Sequence, residues 1–191
     1  MIPFDRLGWA FHSFGGMIYP ARVKETLCQT LQPLAPDARI LDVGAGTGIL
    51  CRFASACRDD LQLDAVDPAA GMLKYCPKQT ATHLGRAEAL PFESASFDAV
   101  LIGEALHHFE DIDLALREIK RVLKDEGRLF IYDFDPSTWI GGLIAKGEKL
   151  LGEPGNFFIP ERLQSILEDH GFDVSVDVFG FRYIVTARLR K

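Results

Sequence analysis

Three closely spaced glycines could hold a ligand against the backbone. Residues 41–48 read LDVGAGTG, and glycines at this density let the chain turn sharply and approach a ligand without Cβ atoms in the way. A helix beginning near Thr47 would point free N–H groups at the same space, which suits an anionic group such as a carboxylate. The spacing is G-x-G-x-G, and Ile49 stands where a dinucleotide fingerprint needs its third glycine. The loop therefore indicates a small-molecule site and weakens, without removing, an NAD or FAD interpretation. A plain tight turn would also use glycine.

An acid follows the next apolar run along the chain. Asp67 lies between Val66 and Pro68, at the carboxyl end of a predicted strand. A carboxylate at this point can accept hydrogen bonds from both hydroxyls of a ribose. An Asp before a proline is, on its own, more often a turn residue or a helix cap. Its distance from the glycine loop favours the ribose interpretation.

Two adjacent histidines follow a later apolar run. His107 and His108 titrate near neutrality, so either could take a proton from a bound molecule. The alternative is that one hydrogen-bonds the loop and the other faces solvent. No spacing of two histidines and one carboxylate is visible, so we predict no catalytic metal.

The four cysteines show no metal or redox pattern. No CxxC pair occurs, which argues against zinc or redox use. We expect reduced, buried or half-buried thiols in a cytosolic protein. The residues are Cys28, Cys51, Cys57 and Cys76.

Length and composition predict one globular domain over residues 1–191. The chain is 48% hydrophobic and 25% charged, as ordinary domains are. Lys and Arg number 21 against 27 Asp and Glu, and a net charge of −6 argues against a nucleic-acid partner. The uncharged run of residues 136–145 is about half the length of a membrane span. We therefore expect a cytoplasmic chain without a membrane span, and composition leaves the oligomeric state open.

Short apolar runs alternate with helix-type runs over most of the chain. Because strands separated by helices pair in parallel through right-handed crossovers, this pattern predicts an α/β fold. We predict a Rossmann-like, doubly wound sheet of seven strands, mostly parallel, with an antiparallel strand at the C-terminal end. The predicted strands are 39–43, 62–66, 81–84, 98–102, 128–133, 173–179 and 182–189. The predicted helices are 47–57, 69–76, 112–123 and 160–170, with Gly127 as a stop signal shortly after the third.

Two apolar stretches do not belong to the alternation. Residues 1–36 are predicted to form an N-terminal cover, and residues 135–160 a lid-like insertion. Ligands of such sheets bind at the carboxyl ends of the strands, so these stretches could form substrate walls that exclude water. The alternative is ordinary packing of flanking helices on the sheet. Their large apolar residues include Phe4, Trp9, Phe11, Phe14 and Tyr19 in the first, and Trp139, Leu143, Leu150, Phe157 and Phe158 in the second.

Five motifs in order resemble the class I S-adenosylmethionine-dependent methyltransferases. The motifs are LDVGAGTG, AVDPAAGML, GRAEALPFESASFDAV, EALHHFED and REIKRVLKDEGRLFIYDF. Within that superfamily the chain is most similar to the small-molecule branch that includes quinone-biosynthesis C-methyltransferases. The resemblance covers about residues 38–134 and extends more loosely to residue 189, and none of the motifs is specific for a substrate.

The resemblance implies that S-adenosylmethionine is the cofactor. Asp42 and the glycine loop would border its methionine part, Asp67 its ribose, and Glu104 its sulfonium and amino group. The family commonly has an acid where this chain has Arg86, which cannot accept a bond from the adenine amino group. Either Glu88 substitutes, or the backbone suffices, or affinity is reduced. The implied cofactor-binding residues are Asp42, Gly44, Ala45, Gly46, Thr47, Gly48, Asp67, Pro68, Met72, Arg86, Ala87, Glu88, Gly103 and Glu104.

The methyl acceptor is expected to be a small organic molecule. The run 103–108 lacks the Asn- or Asp-Pro-Pro-Tyr pattern common among enzymes that methylate nitrogens of nucleic acids and proteins. The resemblance makes His107 the candidate catalytic base, because the family's Leu-His pair sits there, and Tyr19 and His108 are candidate substrate contacts. We predict a methyltransferase acting on a small, hydrophobic acceptor. The alternatives are a cofactor-binding protein without turnover and a nicotinamide-dependent oxidoreductase.

Overall fold

Seven strands form one sheet in the computed structural model, which describes residues 19–150 and 155–191. They are β1 (Arg39–Val43), β2 (Gln62–Asp67), β3 (Thr80–Leu84), β4 (Phe97–Gly103), β5 (Leu123–Phe134), β6 (Phe172–Phe179) and β7 (Arg182–Leu189). Their spatial order is β3-β2-β1-β4-β5-β7-β6. Strands β1 to β5 pair in parallel, whereas β7 is antiparallel to both β5 and β6. The predicted fold class is confirmed.

The chain order reverses at β1, which lies between β2 and β4. Sheets of this type bind ligands outside the carboxyl ends of the strands, at the point of reversal. The glycine loop follows β1, and Asp67 ends β2. The topology therefore brings both predicted cofactor motifs to the same crevice.

The described residues form six α-helices, which cover both faces of the sheet, and one short 3-10 turn. They are α1 (Ala21–Leu31), α2 (Ile49–Cys57), α3 (Ala70–Leu73), α4 (Ile112–Val122), α5 (Trp139–Leu150) and α6 (Pro160–Asp169). Side chains alternate between the faces along a strand, so Ile40 of β1 packs with Leu27 of α1, and Leu41 packs in the cluster that holds Leu116 of α4. Both faces are covered, which explains why β1 is buried from Ile40 to Val43.

Two predicted helix ends were wrong. The helix predicted over residues 69–76 is only the four-residue α3, which is followed by turns. The third predicted helix ends at Val122, and residues 123–127, Gly127 included, already belong to β5. A Cβ atom at Gly127 would lie 2.8 Å from the Lys124 carbonyl oxygen, so close backbone packing, not helix termination, requires this glycine.

Two of the four cysteines form a disulfide, contrary to the expectation of reduced thiols throughout. Cys28 of α1 is bonded to Cys57 at the end of α2, with their Cα atoms 5.3 Å apart. The two helices pack side by side on one face of the sheet, which places these positions opposite each other. Cysteine spacing alone does not reveal a pairing that depends on helix packing. Cys51 and Cys76 remain thiols.

The two predicted covers are described in part. Phe4, Trp9, Phe11 and Phe14 lie outside the described residues, which leave Tyr19 and α1 of the N-terminal cover. The lid-like insertion contains α5 and an extended segment before α6, and Trp139, Leu143 and Leu150 of α5 are exposed. No helix within 19–150 or 155–191 is long and apolar enough to cross a membrane. The roles of both segments as substrate walls stay predictions.

Candidate functional site

The glycine loop takes a conformation that other residues adopt at a cost. Gly44, Gly46 and Gly48 have φ values of 68°, 53° and 71°, in the left-handed region. A Cβ atom at Gly44 would lie 2.5 Å from the Cβ of Ala105, in the turn after β4. The loop after β1 and the turn after β4 therefore meet in direct contact, and glycine at position 44 makes that approach possible.

Asp67 joins the glycine loop to the end of β2. Its Oδ2 accepts a hydrogen bond from the Gly46 backbone N–H at 2.8 Å, and its Oδ1 accepts one from the Ala69 N–H at 2.7 Å. A carboxylate oxygen can accept more than one hydrogen bond, so these bonds orient the group without excluding ribose hydroxyls. The geometry fits the predicted ribose contact.

Asp42 lies beneath the loop and faces α2. Its Oδ2 accepts a weak hydrogen bond from the Cys51 thiol at 3.5 Å. Burial raises the pKa of Asp42 to about 7, and the bond from Cys51 only partly offsets this effect. Thr47 is also buried. Both residues support the loop from the inside.

The residues predicted to contact the adenine differ in burial. Met72 and Ala87 are buried, and the Met72 methyl group would lie 3.3 Å from a Cβ atom at Gly46. Arg86 is exposed and forms an ion pair with Glu110 at 2.6 Å. Glu88 Oε1 accepts a hydrogen bond from the Glu110 backbone N–H at 2.7 Å, just before α4. Both charged side chains thus bind the segment before α4, and Pro68 is exposed at the crevice rim.

Glu104 occupies a strained position at the end of β4. Its φ of 52° lies in the left-handed region, and its N–H donates to the Tyr132 carbonyl at 2.8 Å. The Tyr132 hydroxyl also bonds its carboxyl group, whereas Oε1 is buried with no hydrogen-bond partner among the described residues. Burial, and then the charge of Asp133, raise the pKa of Glu104 to about 7. A carboxylate oxygen in this state fits a cationic ligand group, as the sulfonium and amino group of S-adenosylmethionine would be.

His107 lies in a 3-10 turn, Leu106–His108, and is buried. Its Nδ1 is 2.7 Å from Asp133 Oδ1, and its Nε2 is 3.3 Å from Glu148 Oε2. Burial opposes the charged imidazolium, but the carboxylates, led by Asp133, outweigh burial and raise the pKa of His107. The ring of Phe157 stacks on the imidazole with centroids 4.3 Å apart. The turn therefore carries a histidine whose Nδ1 is held by the Asp133 carboxylate and whose Nε2 faces Glu148 without a hydrogen bond to it.

Asp133 and Glu148 were not among the predicted site residues. Asp133 stands at the carboxyl end of β5, so the rule that pointed to Asp67 could have found it. Glu148 comes from α5, and nothing in its sequence context pairs it with a histidine.

Tyr19 and His108 both lie near this turn. The Tyr19 ring contacts those of Tyr132 and Phe53, and its hydroxyl would lie 2.8 Å from a Cβ atom at Gly103. Burial, and then Glu104, raise the pKa of Tyr19. The His108 ring lies 4.2 Å from that of His107. The structure brings both candidate substrate residues to the same end of the sheet as Glu104.

A set of two histidines and one carboxylate also forms here, although sequence spacing showed none. One ligand atom from each of His107, His108 and Glu148 lies within 4.8 Å of the others. The reason for predicting no catalytic metal therefore does not hold in the folded chain.

Comparison with known proteins gives matches to methyltransferases. Residues 41–131 match a family model described as a methyltransferase domain. The chain is 29% identical over 168 residues to a demethylmenaquinone methyltransferase of Thermotoga maritima, an alignment that covers 75% of this chain and 73% of that protein. A ubiquinone/menaquinone biosynthesis C-methyltransferase of Rubrivivax gelatinosus is 36% identical over 111 residues, 55% of this chain and 43% of the relative. The chain thus matches less than half the length of that second relative.

A solved structure shares the whole fold. A S-adenosylmethionine-dependent methyltransferase of Thermotoga maritima, described as a possible histamine N-methyltransferase, superposes with a TM-score of 0.74 and 23% identity. The superposition covers 98% of both chains. At this identity the likeness concerns the fold alone.

Proposed function

We propose that this chain, an S-adenosylmethionine-dependent methyltransferase by its matched domain and its relatives, methylates a small, hydrophobic organic molecule bound beside His107. The predicted family resemblance and cofactor are confirmed, and the nicotinamide alternative falls away. Two relatives are named as methyltransferases of menaquinone or ubiquinone biosynthesis, which supports a quinone-like organic acceptor. Phe157 at the His107 ring supports an apolar one.

The chain's own residues would hold the cofactor along the crevice. Asp67 would bind the ribose, the glycine loop the methionine carboxylate, and Glu104 the cationic end. When bound, the cofactor supplies a methyl group already activated by the sulfonium. The protein then mainly has to align the acceptor, and positioning of this kind can contribute about 7–11 kcal/mol.

The observation that carries the acceptor-side proposal is the buried pair of His107 and Asp133. An ionised carboxylate only accepts hydrogen bonds, so Asp133 keeps the proton of His107 on Nδ1 and leaves Nε2 as the basic nitrogen. An acceptor that must lose a proton during attack would give it to Nε2. His107 would thus act as the general base and Asp133 as the residue that positions it.

The test is methyl transfer from labelled S-adenosylmethionine to a panel of phenols, quinols and small amines. We expect His107→Ala to lower kcat by roughly 10²–10⁴-fold, because a general base is lost, with the Kd for S-adenosylmethionine little changed. Added imidazole should restore part of the lost rate. The matched control is His83→Ala, since His83 contacts Asp64 in the sheet, away from the crevice.

Two results would contradict the proposal. A wild-type kcat in His107→Ala would show that His107 is not the general base. Tight cofactor binding without transfer to any acceptor would favour the binding protein without turnover.

A further inference from the structure

We propose that His107, His108 and Glu148 form a binding site for a divalent transition-metal ion of the zinc type. One ligand atom from each residue lies within 4.8 Å of the other two. Two imidazoles and one carboxylate are a ligand set that zinc accepts in catalytic sites. The set comes from two separate elements, the 3-10 turn and α5, which the fold brings together.

One measured distance already matches a metal site. His107 Nε2 and Glu148 Oε2 are 3.3 Å apart. Nitrogen and oxygen ligands at about 2.0–2.1 Å from a tetrahedral zinc lie about 3.3 Å from each other. The separation of these two atoms is therefore the one that two ligands of the same zinc ion have.

The other nitrogen of His107 has the partner that metal-binding histidines usually have. Metal ligands of this type donate their second ring N–H to a carboxylate or carbonyl, which fixes the tautomer and raises ligand basicity. Asp133 Oδ1 accepts that bond at 2.7 Å and is itself held by the Phe134 backbone N–H at 2.8 Å. Asp133 thus directs Nε2 toward Glu148.

The backbone that carries the two histidines is held from a third segment. The Asn156 N–H donates to the His107 carbonyl at 2.9 Å, and the Asn156 side chain donates to the Phe109 carbonyl at 2.8 Å. Phe157 then covers the imidazole. A ligand held in place by its surroundings loses little freedom on binding a metal, which favours affinity.

The local charge favours a cation. The negative charges of Glu104, Asp133 and Glu148 all act on the His107 ring. The positive charge of Arg182 acts on Glu104. Burying several carboxylates together is costly unless positive charge compensates them. A divalent ion at this position would provide it.

The ligand types select among ions. Imidazole suits zinc and its neighbours in the first transition row, whereas magnesium and calcium prefer all-oxygen sites. Three protein ligands leave a fourth position for water or for an oxygen of the acceptor, which the ion would polarise. This catalytic role rests on the proposed function, but metal binding does not. With an ion bound, His107 Nε2 would be a ligand and could not also accept a proton, so the general-base role proposed above belongs to the metal-free enzyme.

The experiment is a calorimetric titration of the chelator-treated full chain with Zn²⁺ alone, repeated with Co²⁺ while recording its visible absorption. We expect one saturable site with the visible spectrum of four-coordinate Co²⁺. His108→Ala and Glu148→Gln should each weaken binding by about tenfold or more, and Asp133→Asn by about 10–100-fold. His170→Ala is the control, because His170 lies at the end of α6. The melting temperature of each variant shows that it is folded.

Binding that His108→Ala and Glu148→Gln leave unchanged, or no saturable binding, would overturn the inference. The affinity for S-adenosylmethionine is measured on the same samples. Cofactor binding and methyl transfer without metal binding would refute only the metal site. Metal binding without cofactor binding would refute only the proposed function.

Discussion

Asp67 shows how one side chain can connect two parts of a site. Its carboxylate accepts backbone hydrogen bonds from Gly46, in the glycine loop, and from Ala69, ahead of α3. Both bonds hold the carboxylate at the carboxyl end of β2. Its place beside the glycine loop was predictable, because its position at a strand end and its distance from that loop are both readable in sequence, and its ribose contact stays a prediction.

Replacement of Asp67 by alanine should weaken cofactor binding. A charge-assisted hydrogen bond contributes about 1.5–3 kcal/mol, so we expect the Kd for S-adenosylmethionine to rise roughly 10–100-fold. Isothermal titration calorimetry measures this change directly. Asp59→Ala is the matched control, since Asp59 is exposed in the turn that precedes β2. Unchanged affinity in Asp67→Ala would show that the ribose lies elsewhere.

Other residues of the site could not be predicted in this way. Glu148 reaches His107 only because α5 folds back over the turn after β4, and no local pattern encodes that return. Arg86 is a different case, because its sequence position suggested the adenine edge while its side chain pairs with Glu110. Both contacts join residues far apart in sequence, and the place of Arg86 at the adenine edge stays a prediction.

At the scale of elements, the glycine loop makes a prediction with an internal control. Gly44 and Gly180 both have positive φ values, but only Gly44 faces a neighbour, the Cβ of Ala105. Alanine at either position would have to adopt the left-handed backbone conformation, which costs about 1–2 kcal/mol of stability. Gly44→Ala should lower the free energy of unfolding by about 1–3 kcal/mol more than Gly180→Ala does, because the added methyl group overpacks against Ala105. Gly44→Ala should also lose cofactor binding.

Urea unfolding and calorimetry of the two variants separate these contributions. Equal stability of Gly44→Ala and Gly180→Ala would mean that the contact between the loop and Ala105 is not tight. Retained cofactor affinity in Gly44→Ala would mean that the cofactor does not depend on the backbone path of the loop.

The link between α1 and α2 gives a second prediction at this scale. The disulfide joins residues with a sequence separation of 29, and a loop of that length is expected to stabilise the fold by about 3–4 kcal/mol. The double variant Cys28→Ser, Cys57→Ser should lose this amount of unfolding free energy. A reductant should destabilise the wild-type chain and leave the double variant unchanged. If reductant leaves the stability of the wild-type chain unchanged, the chain does not contain a stabilising Cys28–Cys57 disulfide.

Element types were easier to predict than element ends. The apolar stripe of α4 was visible at positions 112, 116 and 119 because amphipathic helices repeat every 3.6 residues. Its end was not, because Leu123 pairs with Phe97 in the sheet and the strand takes over directly from the helix. Tertiary pairing, which local sequence does not contain, set that boundary.

For the whole molecule, a buried carboxyl group makes stability depend on pH. Burial raises the pKa of Asp42 from 3.8 to about 7, so the folded state holds its proton more tightly than the unfolded state. The stability that this group contributes is full below its unfolded pKa and is lost as pH rises through about 7. Glu104, with a pKa of about 7, acts in the same direction.

The unfolding free energy of the cofactor-free chain should therefore fall between about pH 5 and about pH 7, by up to about 1.4 kcal/mol per pH unit for each group. Asp42→Asn should reduce that slope, and Asp59→Asn should not. Urea midpoints at several pH values measure both. The lowered pKa values of Asp60, Glu118 and Glu126 affect stability only at more acidic pH. A midpoint that rises over this interval would refute the role given to Asp42.

At Glu104 the stability of the cofactor-free fold and the proposed cofactor contact favour different residues. A non-glycine residue with a φ of 52° and a buried carboxylate oxygen lacking a described partner costs free energy in the cofactor-free fold. Selection for heat resistance alone would favour glycine or asparagine at position 104, whereas the cofactor contact proposed for Glu104 requires the carboxylate. With the cofactor contact proposed for Glu104, thermal tolerance and turnover would compete at this position.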